Sequence, residues 1–159
     1  MNNMKNFIKN RDFILFSIII IGVIVVGFAN PYFVKPSSLS DVLTDTSILI
    51  ILALSQMIVI LIRAIDLSVA SNLALSGMLI SLLSTVYPEL PVVFFILLSC
   101  VIGTFLGVLN GVSIAILKVP FIVTTLGTLS IYRGLIYFVS DGKQVYSHEF
   151  SENFLALIH

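Results

Sequence analysis

The amino-acid sequence predicts an all-α, polytopic membrane protein, a bundle of about five transmembrane helices with the N-terminus on the cytoplasmic side. Three observations carry this. Of 159 residues, 58% are hydrophobic and only 10% are charged, whereas a soluble domain is about one-half apolar and about one-quarter charged. Mean hydropathy is +1.15, and the apolar residues fall in continuous runs rather than alternating with polar ones. Runs of that kind match the roughly 20 apolar residues that cross a bilayer core as a helix. Lipid offers no hydrogen bonds, so a continuous run satisfies its own backbone only by coiling into a helix.

Eight basic and eight acidic residues cancel to a net charge of zero. There is no basic patch or basic helix of the kind that binds nucleic acid. Cys100 is the one cysteine, so no intramolecular disulfide forms, and the usual metal-ligand spacings are absent. The single transmembrane domain is expected to cover residues 1–159, with spans at about 13–29, 46–62, 67–86, 92–117 and 121–140.

The first twelve residues are polar and basic, with Lys5, Lys9 and Arg11 against Asp12. Residues 13–29 then run without a charge. A cleaved secretory signal is the alternative, and Gly27-Phe28-Ala29 resembles a cleavage site. However, the run exceeds a usual signal core of about 7–15 residues and further spans follow, which favours a retained helix. Residues 30–45, with Pro31, Pro36, Ser37, Ser38 and Ser40, read as a polar connector. The second span is interrupted only by Ser55 and Gln56. Next comes Arg63-Ala64-Ile65-Asp66-Leu67-Ser68-Val69-Ala70-Ser71-Asn72, a polar interruption between two apolar runs. The third span is rich in Ser, Ala and Gly. It ends at Tyr87-Pro88-Glu89-Leu90-Pro91, a tight turn. The fourth and longest span is broken by Lys118-Val119-Pro120. The fifth carries Thr124, Thr125, Thr128, Ser130, Tyr132 and Arg133. Asp141-Gly142-Lys143 reads as a turn, and residues 154–158 are mildly amphipathic.

Orientation follows from Lys and Arg, because cytoplasmic loops carry their excess. With the N-terminus inside, Lys5, Lys9, Arg11, Arg63 and Lys118 are cytoplasmic and only Lys35 and Lys143 are external. The reverse topology inverts that bias.

Four polar groupings are candidates for function. Arg63 and Asp66 are three apart and would share a helix face and pair; otherwise they are the solvated charges of a short turn, or a helix break facing a cavity. Ser68, Ser71, Asn72 and Ser76 form a stripe that either packs helices closely or lines a pathway. Gly103, Gly107 and Gly111 lie four apart on one face, favouring close helix contact, with Asn110 beside them seeking a partner. Thr125, Thr128 and Arg133 are expected to face a polar interior rather than acyl chains. An arginine at depth costs about 2.5–3.5 kcal/mol on insertion scales, unless it snorkels to the interface. No Walker A loop, His-Glu-x-x-His or Gly-x-Ser-x-Gly occurs, so no catalytic residue is assigned and no enzyme is expected. His148 and His159 read as solvated.

These residues resemble the permease subunits of ATP-binding-cassette sugar importers, the ribose, xylose, autoinducer-2 and rhamnose group. Ile65-Asp66-Leu67-Ser68-Val69, followed by Asn72-Leu73-Ala74-Leu75-Ser76-Gly77, is similar to that family's signature after its second helix. Leu109-Asn110-Gly111 resembles its fourth-helix motif. Val123-Thr124-Thr125-Leu126-Gly127-Thr128-Leu129-Ser130-Ile131-Tyr132-Arg133-Gly134-Leu135 resembles a third. The family usually has glycine at position 64, and often at 70, where this chain has Ala64 and Ala70. Residues 142–151 lean towards the rhamnose type.

The resemblance implies import of a monosaccharide or related small polar solute across the bacterial inner membrane. Its expected partners are membrane lipid, a pair of ATPase subunits, a second permease subunit and an external sugar-binding protein. It implies no cofactor in this chain, since ATP would be used by the separate ATPase subunits. Family members are about twice this long, so the chain looks like an N-terminal half. The alternative is a truncated, non-transporting half-permease that acts as a scaffold, interferes with assembly or is a non-functional fragment.

Overall fold

A computed structural model describes residues 11–150 and 152–155. The expectations for Met1, Lys5 and Lys9, and for residues 156–159 including His159, lie outside the described residues. Five long helices follow in chain order: α1 (Arg11–Ala29), α2 (Pro36–Leu61), α3 (Val69–Val86), α4 (Val92–Ala115) and α5 (Phe121–Ser140). Short 3-10 turns occupy Pro31–Val34 and Ser147–Glu149, and one helical turn, α6, spans Glu152–Leu155. No strand occurs among the described residues. The all-α class is therefore as the sequence predicts.

The chain divides into two units, Met1–Ala53 and Leu54–His159. In the first, α1 supplies an apolar stretch, Phe13–Ala29, at the short end of what crosses a bilayer. The helices α2, α3, α4 and α5 are each long and apolar enough to span by length and composition. The main departure from expectation is at residues 36–45, read as connector but folded as the first turns of α2. Pro36 opens the helix, where its missing N–H costs nothing and its fixed φ is already helical. The Ser38 hydroxyl donates to the Tyr32 carbonyl at 2.9 Å, pinning the turn. Polar residues at a helix start thus belong to the helix, although hydropathy excludes them from the span.

The second unit holds the core. Helix α3 packs against both α5 and α4. Leu75, Leu106 and Tyr132 are buried at its centre, with Leu79, Ile102 and Ile136 against them. The Tyr132 hydroxyl donates to the Leu106 carbonyl at 2.8 Å. Ser71 and Ser84, both buried on α3, return their hydroxyls to carbonyls three residues back, at 2.8 Å each. That local bond satisfies the donor and leaves a small side chain, which is what close helix packing in lipid requires. Phe95 is 2% exposed. Phe94 and Phe154 meet it edge-on at 5.8 and 5.7 Å, which ties α6 to α4.

Three helix ends use left-handed residues that are not glycine: Arg63 (φ 59°), Lys118 (φ 60°) and Asp141 (φ 53°). At Arg63 the N–H bonds the Ile60 carbonyl at 2.8 Å, and the next N–H, of Ala64, bonds Val59 at 3.1 Å. This is a Schellman stop, usually made with glycine at that position. The left-handed residue is Arg63, so alanine at position 64 costs no backbone freedom there. A side chain in this conformation costs about 1–2 kcal/mol. Arg63→Gly is therefore expected to raise the unfolding free energy in detergent by about 1 kcal/mol, because glycine also loses more entropy on folding. A midpoint below wild type in a denaturant titration would contradict this.

Candidate functional site at the helix break

Residues 62–68 are not helical. The Schellman stop at Arg63 ends α2, and Asp66 shapes the entry to α3: its Oδ1 accepts from the Ser68 N–H at 2.8 Å and from the Ser68 hydroxyl at 2.7 Å. An aspartate that bonds the backbone two residues on offers an alternative to helix continuation. Three helices then fasten the break. Gln56 of α2 donates from Nε2 to the Asp66 carbonyl at 2.6 Å. Asn110 of α4 donates from Nδ2 to the Ser68 hydroxyl at 2.8 Å. Thr125 of α5 places its hydroxyl 2.9 Å from the Phe121 carbonyl and 3.4 Å from that of Ile65.

The relay has one direction. A carboxylate only accepts, so the Ser68 proton points to Asp66 and the Ser68 lone pair receives Asn110 Nδ2. Ser68 is fully buried and Asn110 is 5% exposed. With Nδ2 committed, Asn110 Oδ1 is turned away, buried and without a donor among the described residues. An unmet buried acceptor costs about 1–3 kcal/mol.

Asp66 lines two cavities. One, of about 610 Å³, is bounded by Gln56, Ile60 and residues 63–67. The other, of about 500 Å³, lies between the break, α4 and α5, with Asp66, Asn110 and Thr125 as polar lining and Ile62, Ile114 and Phe121 among the apolar lining. Arg63 and Asp66 do not pair as an i,i+3 helical couple would. Among the described residues the one ion pair is Lys143 with Asp141, 4.0 Å apart at the exposed turn.

Of the predicted residues, Asp66, Ser68, Asn110 and Thr125 come together here. Ser71 and Asn72 continue the seam along α3. Asn72 Nδ2 donates to the Gly103 carbonyl at 3.3 Å, and its Oδ1 accepts from Ser76 at 3.3 Å. Thr128 is half-buried and bonds back to Thr124 and Thr125 carbonyls at 3.1 and 3.3 Å. Arg133 does not join them. It is exposed, beside a cavity of about 370 Å³ lined by Ala70, Ser71, Ala74, Ile136 and Tyr137. Sequence reasoning passed over Gln56, a mere interruption in an apolar run. A lone amide there was the available signal, since it needs a partner in lipid.

The glycine face divides. A Cβ on Gly103 would meet Ser76 Oγ at 3.8 Å and Asn72 Oδ1 at 3.9 Å, whereas one on Gly107 or Gly111 would meet nothing within 4 Å among the described residues. Gly103 lies at the contact of α3 with α4, and Gly107 and Gly111 border the 500 Å³ cavity. Gly107→Ala is thus expected to leave stability within about 0.5 kcal/mol of wild type. Gly103→Leu forces α3 and α4 apart and is expected to cost about 1–3 kcal/mol. Denaturant titration of both variants checks the contrast, and equal losses would refute it.

Residues 38–156 match the family described as "Branched-chain amino acid transport system / permease component". The chain belongs to this permease family. It is 38% identical over 146 residues to the ribose import permease protein RbsC of Haemophilus influenzae, an alignment covering 92% of this chain and 43% of that protein. It is 34% identical over 143 residues to the autoinducer 2 import system permease protein LsrC of Escherichia coli O9:H4, covering 89% and 41%. The corresponding LsrC of Enterobacter sp. strain 638 is 35% identical over 142 residues, again covering 89% and 41%. The permease chain thus spans less than half the length of the curated relatives it matches. No solved structure matches it. Family and apolar spans together make it a multi-pass protein of the inner membrane.

Proposed function

We propose that this permease chain forms the N-terminal part of the membrane-spanning subunit of an ATP-binding-cassette importer for a monosaccharide or related small polar solute. One observation carries the reading. Three motifs far apart in sequence, at residues 65–69, 109–111 and 123–135, meet at a single point through Ser68, Asn110 and Thr125. Packing alone does not require polar side chains from separate helices to converge on one helix break. The similarity to ribose and autoinducer-2 import permeases supports the solute class. On this reading ATP is bound and hydrolysed by separate ATPase subunits, and an external binding protein delivers the solute. A second permease subunit completes the pathway, and the break at residues 62–68 lies towards the cytoplasm.

The test uses cells that lack their ribose permease but retain its ATPase and binding protein. Labelled ribose uptake is expected when this chain is expressed with the C-terminal part of a ribose import permease, and not when it is expressed alone. No uptake by the pair, beside an active full-length control, refutes the importer reading and leaves the non-transporting half-permease. Uptake by the chain alone would show that the remainder is dispensable.

A further inference from the structure

We infer that the 500 Å³ cavity between the helix break, α4 and α5 is a binding site for a neutral, hydroxyl-bearing solute, with Asn110 Oδ1 as its principal acceptor. This deepens the importer reading and rests on it. The volume falls in the range of small-molecule sites, roughly 300–1,000 Å³. The polar lining is biased towards acceptors. Asn110 Oδ1 has no donor, because the one-way relay through Ser68 holds its Nδ2 elsewhere. Both hydrogen bonds to the Asp66 carboxylate fall on Oδ1, which leaves Oδ2 outside the relay. The Thr125 hydroxyl spends its proton on main-chain carbonyls, so towards the cavity it offers lone pairs. A solute that brings several O–H donors satisfies all three.

The remaining wall is apolar, with Ile62, Ile114 and Phe121. Such a wall suits the C–H face of a sugar ring. Among the described residues no Lys or Arg lines this cavity, which disfavours anions. Asn110 Oδ1 itself has less than 1 Å² exposed, so on this proposal it meets a solute only when the residue 64–68 segment moves, which couples binding to the break.

Cysteine protection tests this in a Cys100→Ser background, with the chain paired as above. Gly111→Cys places a thiol on the cavity wall, where a Cβ meets nothing within 4 Å. Saturating ribose or rhamnose is expected to slow its modification by a small thiol reagent several-fold, while a thiol at the exposed turn position Lys143→Cys, which does not line the cavity, is unaffected. Asn110→Leu is expected to abolish protection, read as the ratio of modification rates with and without sugar in that same variant. If that variant does not fold, Thr125→Val is expected to weaken protection in a native-like protein. Protection by neither sugar, or protection that survives both substitutions, overturns the site. Uptake without protection removes this inference and leaves the importer reading standing; protection without uptake does the reverse.

Discussion

Asp66→Leu is expected to abolish ribose uptake by the paired protein and to lower its unfolding free energy by about 3 kcal/mol. The carboxylate accepts two short bonds from Ser68, at 2.8 and 2.7 Å, and bonds to charged groups are worth about 1.5–3 kcal/mol each. Part of the loss is recoverable. Without the carboxylate, the Ser68 hydroxyl can donate to Asn110 if that amide rotates, but the Ser68 N–H keeps no acceptor. The carboxylate also sits at the N-terminus of α3, where negative charge is favoured by the helix dipole. Asp66→Asn retains an acceptor and is expected to cost about 1 kcal/mol. Ser76→Ala removes only a 3.3 Å bond to Asn72 and should leave uptake close to wild type. Denaturant titration and uptake on the same preparations check the series. Equal activity of the wild type, Asp66→Leu and Ser76→Ala proteins would show that Asp66 has no special role.

The second large effect is expected at Tyr132. Its side chain is 2% exposed and fills the contact among Leu75, Leu106 and the flanking apolar residues. In water an aromatic-to-alanine change in a core costs about 3–5 kcal/mol, as lost transfer free energy plus a cavity. In lipid the transfer part shrinks, because acyl chains are as apolar as the core, and the lost packing remains. Tyr132→Ala is therefore expected to cost about 2–3 kcal/mol. Tyr132→Phe keeps the volume and loses only the bond to the Leu106 carbonyl, so about 1 kcal/mol is expected. Reversible unfolding in mixed detergent measures both. A phenylalanine variant as unstable as the alanine variant would mean that the hydroxyl, rather than the packing, holds these helices together.

Much of this molecule was legible in its residues. Continuous apolar runs fixed the helical class, since a span in lipid has no other way to satisfy its backbone. The fifth helix runs over the residues where the sequence placed an apolar span, and the turn at Asp141 and Gly142 follows it for local reasons. The start of α2 was not legible there, because hydropathy reports where lipid begins and not where a helix begins.

Local properties are written in the residues: which segments coil and which polar groups need partners. Ser68, Asn110 and Thr125 each stand out there as polar groups out of place in lipid. Their convergence on one site, the contact of Gly103 with a neighbour that Gly107 and Gly111 lack among the described residues, and the exposure of Arg133 appear once the helices pack. A hydrogen bond between residues 68 and 110, or a contact between 103 and 76, depends on how two helices are rotated about their axes. That rotation is set by the packing of Leu75, Leu106 and Tyr132, and no single segment contains it.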